Sequence, residues 1–145
     1  MNEPMIVRKE IQLNAPPEFV WEMLTDPLMT REWMYRCEIL SDFSVGSAIV
    51  WKGAEDGRIY VKGTIKEIEK NVFLSYTVFD PNMGIPDVPE NYLRVTYELH
   101  PKDNGTLLVI TQGDFARVAN GEKRYQDSIS GWDYAIQGLK RIVEK

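Results

Sequence analysis

The sequence predicts an α+β fold: a curved antiparallel β-sheet of about seven strands wrapped around a long C-terminal α-helix, with two short helices after the first strand. Three observations carry that expectation. Short runs of alternating apolar and polar residues follow one another with turn residues between them, the pattern of an antiparallel meander. Near the C-terminus Tyr125, Ile129, Trp132, Ile136, Leu139 and Val143 recur at spacings of 4, 3, 4, 3 and 4, one apolar stripe of a helix. A sheet of this kind must bury one face, and no other segment is long enough to cover it.

The elements follow in order. Residues 5–13 alternate imperfectly, with Val7, Ile11 and Leu13 against Arg8, Glu10 and Gln12, and read as a strand. Asn14-Ala15-Pro16-Pro17-Glu18 starts a helix, because prolines in the first turn lose no hydrogen bond and Glu18 faces the positive end of the dipole. Val20, Trp21 and Leu24 give this helix a buried face, and Asp26-Pro27 closes it and caps a second helix to about Glu32. Strands are predicted over 36–40, 47–52, 58–68, 72–79, 92–99 and 106–112. Gly46, Glu55-Asp56-Gly57, Glu69-Lys70-Asn71 and Lys102-Asp103-Asn104-Gly105 supply turns, and Asn104-Gly105 suits a tight hairpin. In the long strand Lys62, Thr64 and Lys66 share one face and Val61, Gly63 and Ile65 the other. Residues 81–90 hold three prolines and a glycine and read as a loop.

Composition narrows the function classes. A chain of 145 residues, 43% hydrophobic and 27% charged, is expected to form a single globular domain over 1–145. A net charge of −5, with scattered basic residues, argues against a nucleic-acid partner. The single cysteine, Cys37, excludes an internal disulfide. No apolar run approaches the roughly 20 residues needed to cross a bilayer. Met1-Asn2-Glu3-Pro4 carries no signal-peptide pattern, so a cytoplasmic location is expected.

Ala15-Pro16, Val20-Trp21, Leu24-Thr25-Asp26-Pro27 and Trp33 are followed by Val45-Gly46, Gly63-Thr64-Ile65-Lys66-Glu67-Ile68 and Leu74-Ser75-Tyr76. Val95-Thr96-Tyr97-Glu98-Leu99, Gly105-Thr106, Gly131-Trp132 and Leu139 complete the series. In this order the strings resemble the START and Bet v 1-like (SRPBCC) helix-grip superfamily. Within it the sequence is most similar to small bacterial proteins like the C-terminal domain of the activator of Hsp90 ATPase. The resemblance implies a helix-grip fold; such domains bind unrelated ligands, act as enzymes or assist chaperones.

The candidate site residues follow from the predicted faces. Beside the large apolar stripe of the last helix lies a small one, Ser128, Gly131, Ala135 and Gly138. Two glycines inside a helix cost about 1 kcal/mol each relative to alanine, so the stripe either leaves volume for a ligand or permits close packing. Trp33, Trp51, Tyr60, Tyr76, Tyr97, Phe115 and Trp132, with Val95 and Ile110, are set to face one interior, as pocket lining or as an aromatic core. Gln112 follows Leu108 and Ile110 on one strand face, where a lone amide satisfies backbone groups or orients a ligand. Arg94 and Arg117 read as solvated, and His100 as exposed beside a turn. The 80–91 loop, with Met83, Ile85 and Val88, is either a gate over the cavity or a proline-braced connection.

Without a second histidine or cysteine, a zinc site built from those residues is excluded, and no metal, cofactor or catalytic residue is expected. The leading expectation is therefore binding of a small hydrophobic or amphipathic ligand between sheet and C-terminal helix, with no defined reaction. A chaperone-associated interaction protein of the Hsp90 type, and a cyclase- or hydrolase-like enzyme using cavity tyrosines, are the alternatives. A monomer or weak dimer is expected.

Overall fold

A computed structural model of the chain describes residues 3–144. Met1 and Asn2, read above for a leader, and Lys145 lie outside the described residues. The elements run β1 (Val7–Leu13), α1 (Pro17–Thr25), α2 (Pro27–Trp33), β2 (Cys37–Ser41), β3 (Ala48–Gly53), β4 (Ile59–Glu69), β5 (Phe73–Val78), β6 (Leu93–Lys102), β7 (Gly105–Gly113) and α3 (Gly121–Val143). Single 3-10 turns lie at Pro89–Asn91 and Phe115–Arg117. Seven strands form one antiparallel curved sheet in the order β1-β7-β6-β5-β4-β3-β2. β1 thus lies beside β7, and the two short helices carry the chain to the opposite edge. This is the helix-grip architecture.

Local chemistry accounts for the helix pair. Pro16 caps α1, Pro17 opens it and Glu18 sits in its first turn. The Asp26 carboxylate accepts from the Leu28 amide at 2.9 Å and starts α2, a cap that contributes about 1 kcal/mol. The buried Thr30 hydroxyl donates to the Cys37 carbonyl at 3.1 Å and accepts from the Ile39 amide at 3.1 Å, which pins α2 to β2. Trp33 donates its indole N–H to the Met23 carbonyl at 2.6 Å, tying α2 to α1.

The long strand β4 departs from simple alternation. Trp51 pairs with Val61 but Lys52 with Ile59, leaving Tyr60 as an extra residue. Ile65 pairs with Tyr76 but Glu67 with Ser75, leaving Lys66 as a second. Each extra residue reverses the parity that follows it and bends the strand. Ile68 therefore joins Ile65 against the core, although the two stand an odd three positions apart.

The β6–β7 hairpin also differs in detail from expectation. Its two turn residues are Asp103 and Asn104, both left-handed at φ 52° and 64°, closed by the Lys102–Gly105 pair. Gly105 belongs to β7, where a Cβ would come within 2.3 Å of the Leu13 carbonyl oxygen. Close approach of β1, rather than turn geometry, requires glycine there.

α3 covers the sheet as its apolar stripe predicts. Trp132 meets Tyr97 edge-on with ring centroids 6.1 Å apart, and Ala135, Ile136 and Leu139 are buried. The 80–91 loop is tied down on several sides. Lys62 and the Tyr92 hydroxyl both donate to the Asp87 carboxylate. Asn91 donates to the Pro86 carbonyl at 2.9 Å and accepts from the Ala119 amide at 2.9 Å. Among the described residues no helix is long and apolar enough to cross a membrane.

Candidate functional site

The grip leaves space on one side. A cavity of about 680 Å³ lies between β3–β7 and the first half of α3, within the roughly 300–1,000 Å³ usual for small-molecule sites. Its floor is buried and mainly apolar: Trp51 from β3, Tyr76 from β5, Val95 from β6 and Trp132 from α3. Its mouth is framed by Tyr35 and Arg36, the β3–β4 hairpin at Glu55 and Asp56, and Asp127 of α3. A smaller space of about 150 Å³ shares Val61, Val78, Asp80, Gln112, Asp127 and Ser128 with the main cavity. It continues to Phe79, Met83, Leu93 and Arg124.

Polar groups on the floor are few and partnered. Trp132 donates its indole N–H to Gln112 Oε1 at 2.8 Å. Gln112 therefore fixes the tryptophan ring across the sheet–helix gap, and it also lines the cavity. The Tyr76 and Tyr97 hydroxyls pair at 2.9 Å. Burial pushes both phenols well above their ordinary range, so they keep their protons at neutral pH. When Tyr97 donates, the Tyr76 proton is free for a group in the cavity.

At the mouth, Arg36 pairs with Glu32 at 3.4 Å and with Glu55 at 3.2 Å, and Lys123 pairs with Asp127 at 2.8 Å. The hydrogen bond donated by the Tyr60 hydroxyl, together with the Arg58 amide, holds the Asp56 carboxyl below its usual range. Cys37 lies on the cavity wall, its thiol pushed up by burial and then by the Asp56 charge. Among the described residues no group of three or more His, Cys, Asp or Glu is placed to hold a metal ion.

The sequence candidates divide between wall and core. Trp51, Tyr60, Tyr76, Val95, Gln112, Ser128, Gly131 and Trp132 line the cavity. Tyr60 does so only at the rim, because the bulge turns it outward to 37% exposure. Trp33, Tyr97, Ile110, Phe115 and Ala135 do not line it. Trp33 packs edge-on behind Trp51, Tyr97 stands behind Tyr76, and Phe115 packs on Tyr125. Ile110 and Ala135 are fully buried in the core.

The small-residue stripe splits into both of its readings. Ser128 and Gly131 border the cavity, and at Gly131 an added Cβ would meet only the Tyr35 hydroxyl, at 3.2 Å. At Gly138 an added Cβ would lie 2.8 Å from Trp33 Cα, so that glycine permits α3 to pack on α2. Arg94 lies outside, donating to Glu67 and Ser75. Arg117 pairs with Asp114 at 3.5 Å, and His100 is exposed beside Glu98.

Tyr35 and Arg124 are among the wall residues that escaped the sequence reading. Tyr35 folds over the mouth from a turn in which it and Arg36 are both left-handed, at φ 52° and 59°. It donates to the Gly131 carbonyl at 3.0 Å and stacks on Tyr134 at 4.9 Å. No spacing rule signals such a turn. Arg124 is buried to 5% exposure, and it did carry a signal. It stands four residues before Ser128, so the spacings 4, 3, 4 and 3 extend the inward stripe by one turn.

Comparison with known proteins accords with this geometry. The fold and 36% of the sequence are shared with ChR145 from Cytophaga hutchinsonii, at a TM-score of 0.79 over 99% of this chain and 97% of that one. MLL2253 from Mesorhizobium loti matches at 26% identity and a TM-score of 0.77, covering 96% of each chain. The Aha1 dimer from Colwellia psychrerythraea shares the fold at 17% identity, with a TM-score of 0.72 over 96% of each chain. No curated protein matches the sequence. Residues 14–144 match the family model described as activator of Hsp90 ATPase homolog 1-like protein, and the chain belongs to that family.

Proposed function

We propose that the protein binds a small hydrophobic or amphipathic molecule in the cavity between sheet and α3, without acting on it chemically. The observation that carries this reading is the 680 Å³ space itself, with an aromatic floor. Ser128 and Gly131 keep the helix side open where larger residues would fill it. A ligand gains apolar burial at roughly 25 cal/mol per Å² of surface removed from water and orients on the Tyr76 hydroxyl. The raised pKa values of Tyr76 and Tyr97 favour hydrogen bonding over proton transfer, since a phenol so weakly acidic is a poor general acid at neutral pH.

A thermal-shift screen with fatty acids and small aromatic metabolites tests the reading. A stabilising ligand is expected, and Gly131→Leu, which thrusts a side chain toward Tyr35 and the cavity, removes the shift while the domain stays folded. Undiminished binding in folded Gly131→Leu would refute a pocket on the helix side.

The family description favours a second reading, association with an Hsp90-type ATPase through the protein surface. Stimulation of such an ATPase by the purified protein, undiminished in Gly131→Leu, would support it over the cavity.

A further inference from the structure

We propose that the smaller space beside the main cavity is an anion subsite in which Arg124 pairs with the carboxylate of an amphipathic acid whose apolar body fills the main cavity. The inference rests on the binding function above and specifies its ligand class.

Arg124 lies on the first turns of α3, 95% buried yet bordering the smaller space that continues the cavity. Its one hydrogen bond is from Nη1 to the Ala119 carbonyl, at a long 3.3 Å. Nε and Nη2 have no partner among the described residues. They are not sealed in protein either, because the single fully buried side-chain nitrogen or oxygen without a partner is Arg31 Nε. The guanidinium borders the smaller space, and its unpartnered donors keep some accessible surface.

A guanidinium presents its donors as a rigid fork matched to a carboxylate, and burying such a charge without a close counter-ion is costly. The charges facing it do not supply one. Asp80 acts on Arg124 only at a distance, and its carboxylate already accepts from the Asn82 amide at 2.8 Å. Asp127 is paired with Lys123. Phe79, Leu93, Val61 and Val78 give the space an apolar side, and Asp80, Asp127, Gln112 and Ser128 give it a polar one.

The test compares octanoate with 1-octanol, equal in chain length and different in charge, by isothermal titration calorimetry at neutral pH. The wild-type protein is expected to bind octanoate about tenfold more tightly. Arg124→Gln brings octanoate down to the level of octanol and leaves octanol unchanged. Asp80→Asn, which removes the competing carboxylate and keeps the acceptor for Asn82, tightens octanoate about threefold without affecting octanol. Should Arg124→Gln fail to fold, the Asp80→Asn arm decides. Equal wild-type affinities overturn the subsite and leave the cavity reading intact. Parallel loss of both ligands in folded Arg124→Gln makes the arginine a packing residue. Absence of binding by either overturns the cavity reading and the subsite with it.

Discussion

Replacing Gly138 with alanine adds one methyl group where α3 rests on α2. The new Cβ would stand 2.8 Å from both Cα and Cβ of Trp33 and 3.3 Å from its carbonyl oxygen. These atoms cannot swing aside. Trp33 is fixed by its indole bond to Met23 and by its edge-on packing against Trp51. The helices must separate by most of an ångström, and overpacking of this kind costs about 1–3 kcal/mol. With backbone as the obstacle the upper value applies. Alanine returns about 1 kcal/mol of helix propensity, so the net loss is about 2 kcal/mol. For a domain of this length that lowers Tm by roughly 4–8 °C.

Gly131→Ala is the matched control on the same helix face. Its methyl meets only the Tyr35 hydroxyl, the far end of a side chain that is 52% exposed. Displacing the Tyr35 bond to Gly131 costs about 0.5 kcal/mol at so exposed a site, against the same 1 kcal/mol of propensity gained. The variant should therefore melt at or slightly above wild type. Thermal unfolding followed by circular dichroism measures both. A Gly138→Ala protein as stable as wild type, or equal losses in the two variants, would refute the division of the stripe into a packed half and an open half.

Three further outcomes are expected. Trp132→Phe leaves the Gln112 carbonyl without its donor and should cost about 1 kcal/mol in urea unfolding. Adding Gln112→Leu should then cost nothing further, and simple additivity of the two losses would sink the pairing. Asp114 is held below the usual carboxylate range first by the Met5 amide and then by that of Ala116. Its contribution is thus complete above an unfolded-chain pKa of about 4 and is lost as pH falls through the lower folded value. Urea midpoints for Asp114→Asn should lie below wild type at neutral pH and converge with it in strong acid; curves that stay parallel would contradict the assignment. The Cys37 thiol, buried and raised in pKa, should react with iodoacetamide at least about tenfold more slowly than a free thiol. A cavity ligand should slow it further, and reaction at the free rate would show the wall to be open.

The fold was legible because it depends on patterns that one chain displays by itself. Period-2 alternation at Val95, Tyr97 and Leu99, and the stripe from Tyr125 to Val143, state which faces are buried. Where the pattern broke, the cause was a relation between strands. A bulge has no residue signature of its own, since Tyr60 and Lys66 become extra only through the register of β3 and β5. The same distinction separates wall from core in the site. Trp51 and Trp33, or Tyr76 and Tyr97, are alike in residue type and in inward parity. One of each pair lines the cavity and the other stands behind it, a depth that no periodicity encodes.

Arg124 shows how far the one-dimensional signal reaches. Its position is on the inward stripe, four residues before Ser128, and geometry alone makes it face the sheet. Helix-surface reasoning assigns arginine to solvent because burying its charge is costly. Those two inferences conflict, and the structure resolves them in favour of geometry, with Arg124 buried and lining the smaller space. A charged residue on an otherwise small and inward stripe is a local inconsistency of the kind that folding alone does not favour, and such inconsistencies gather where a chain has to hold something other than itself.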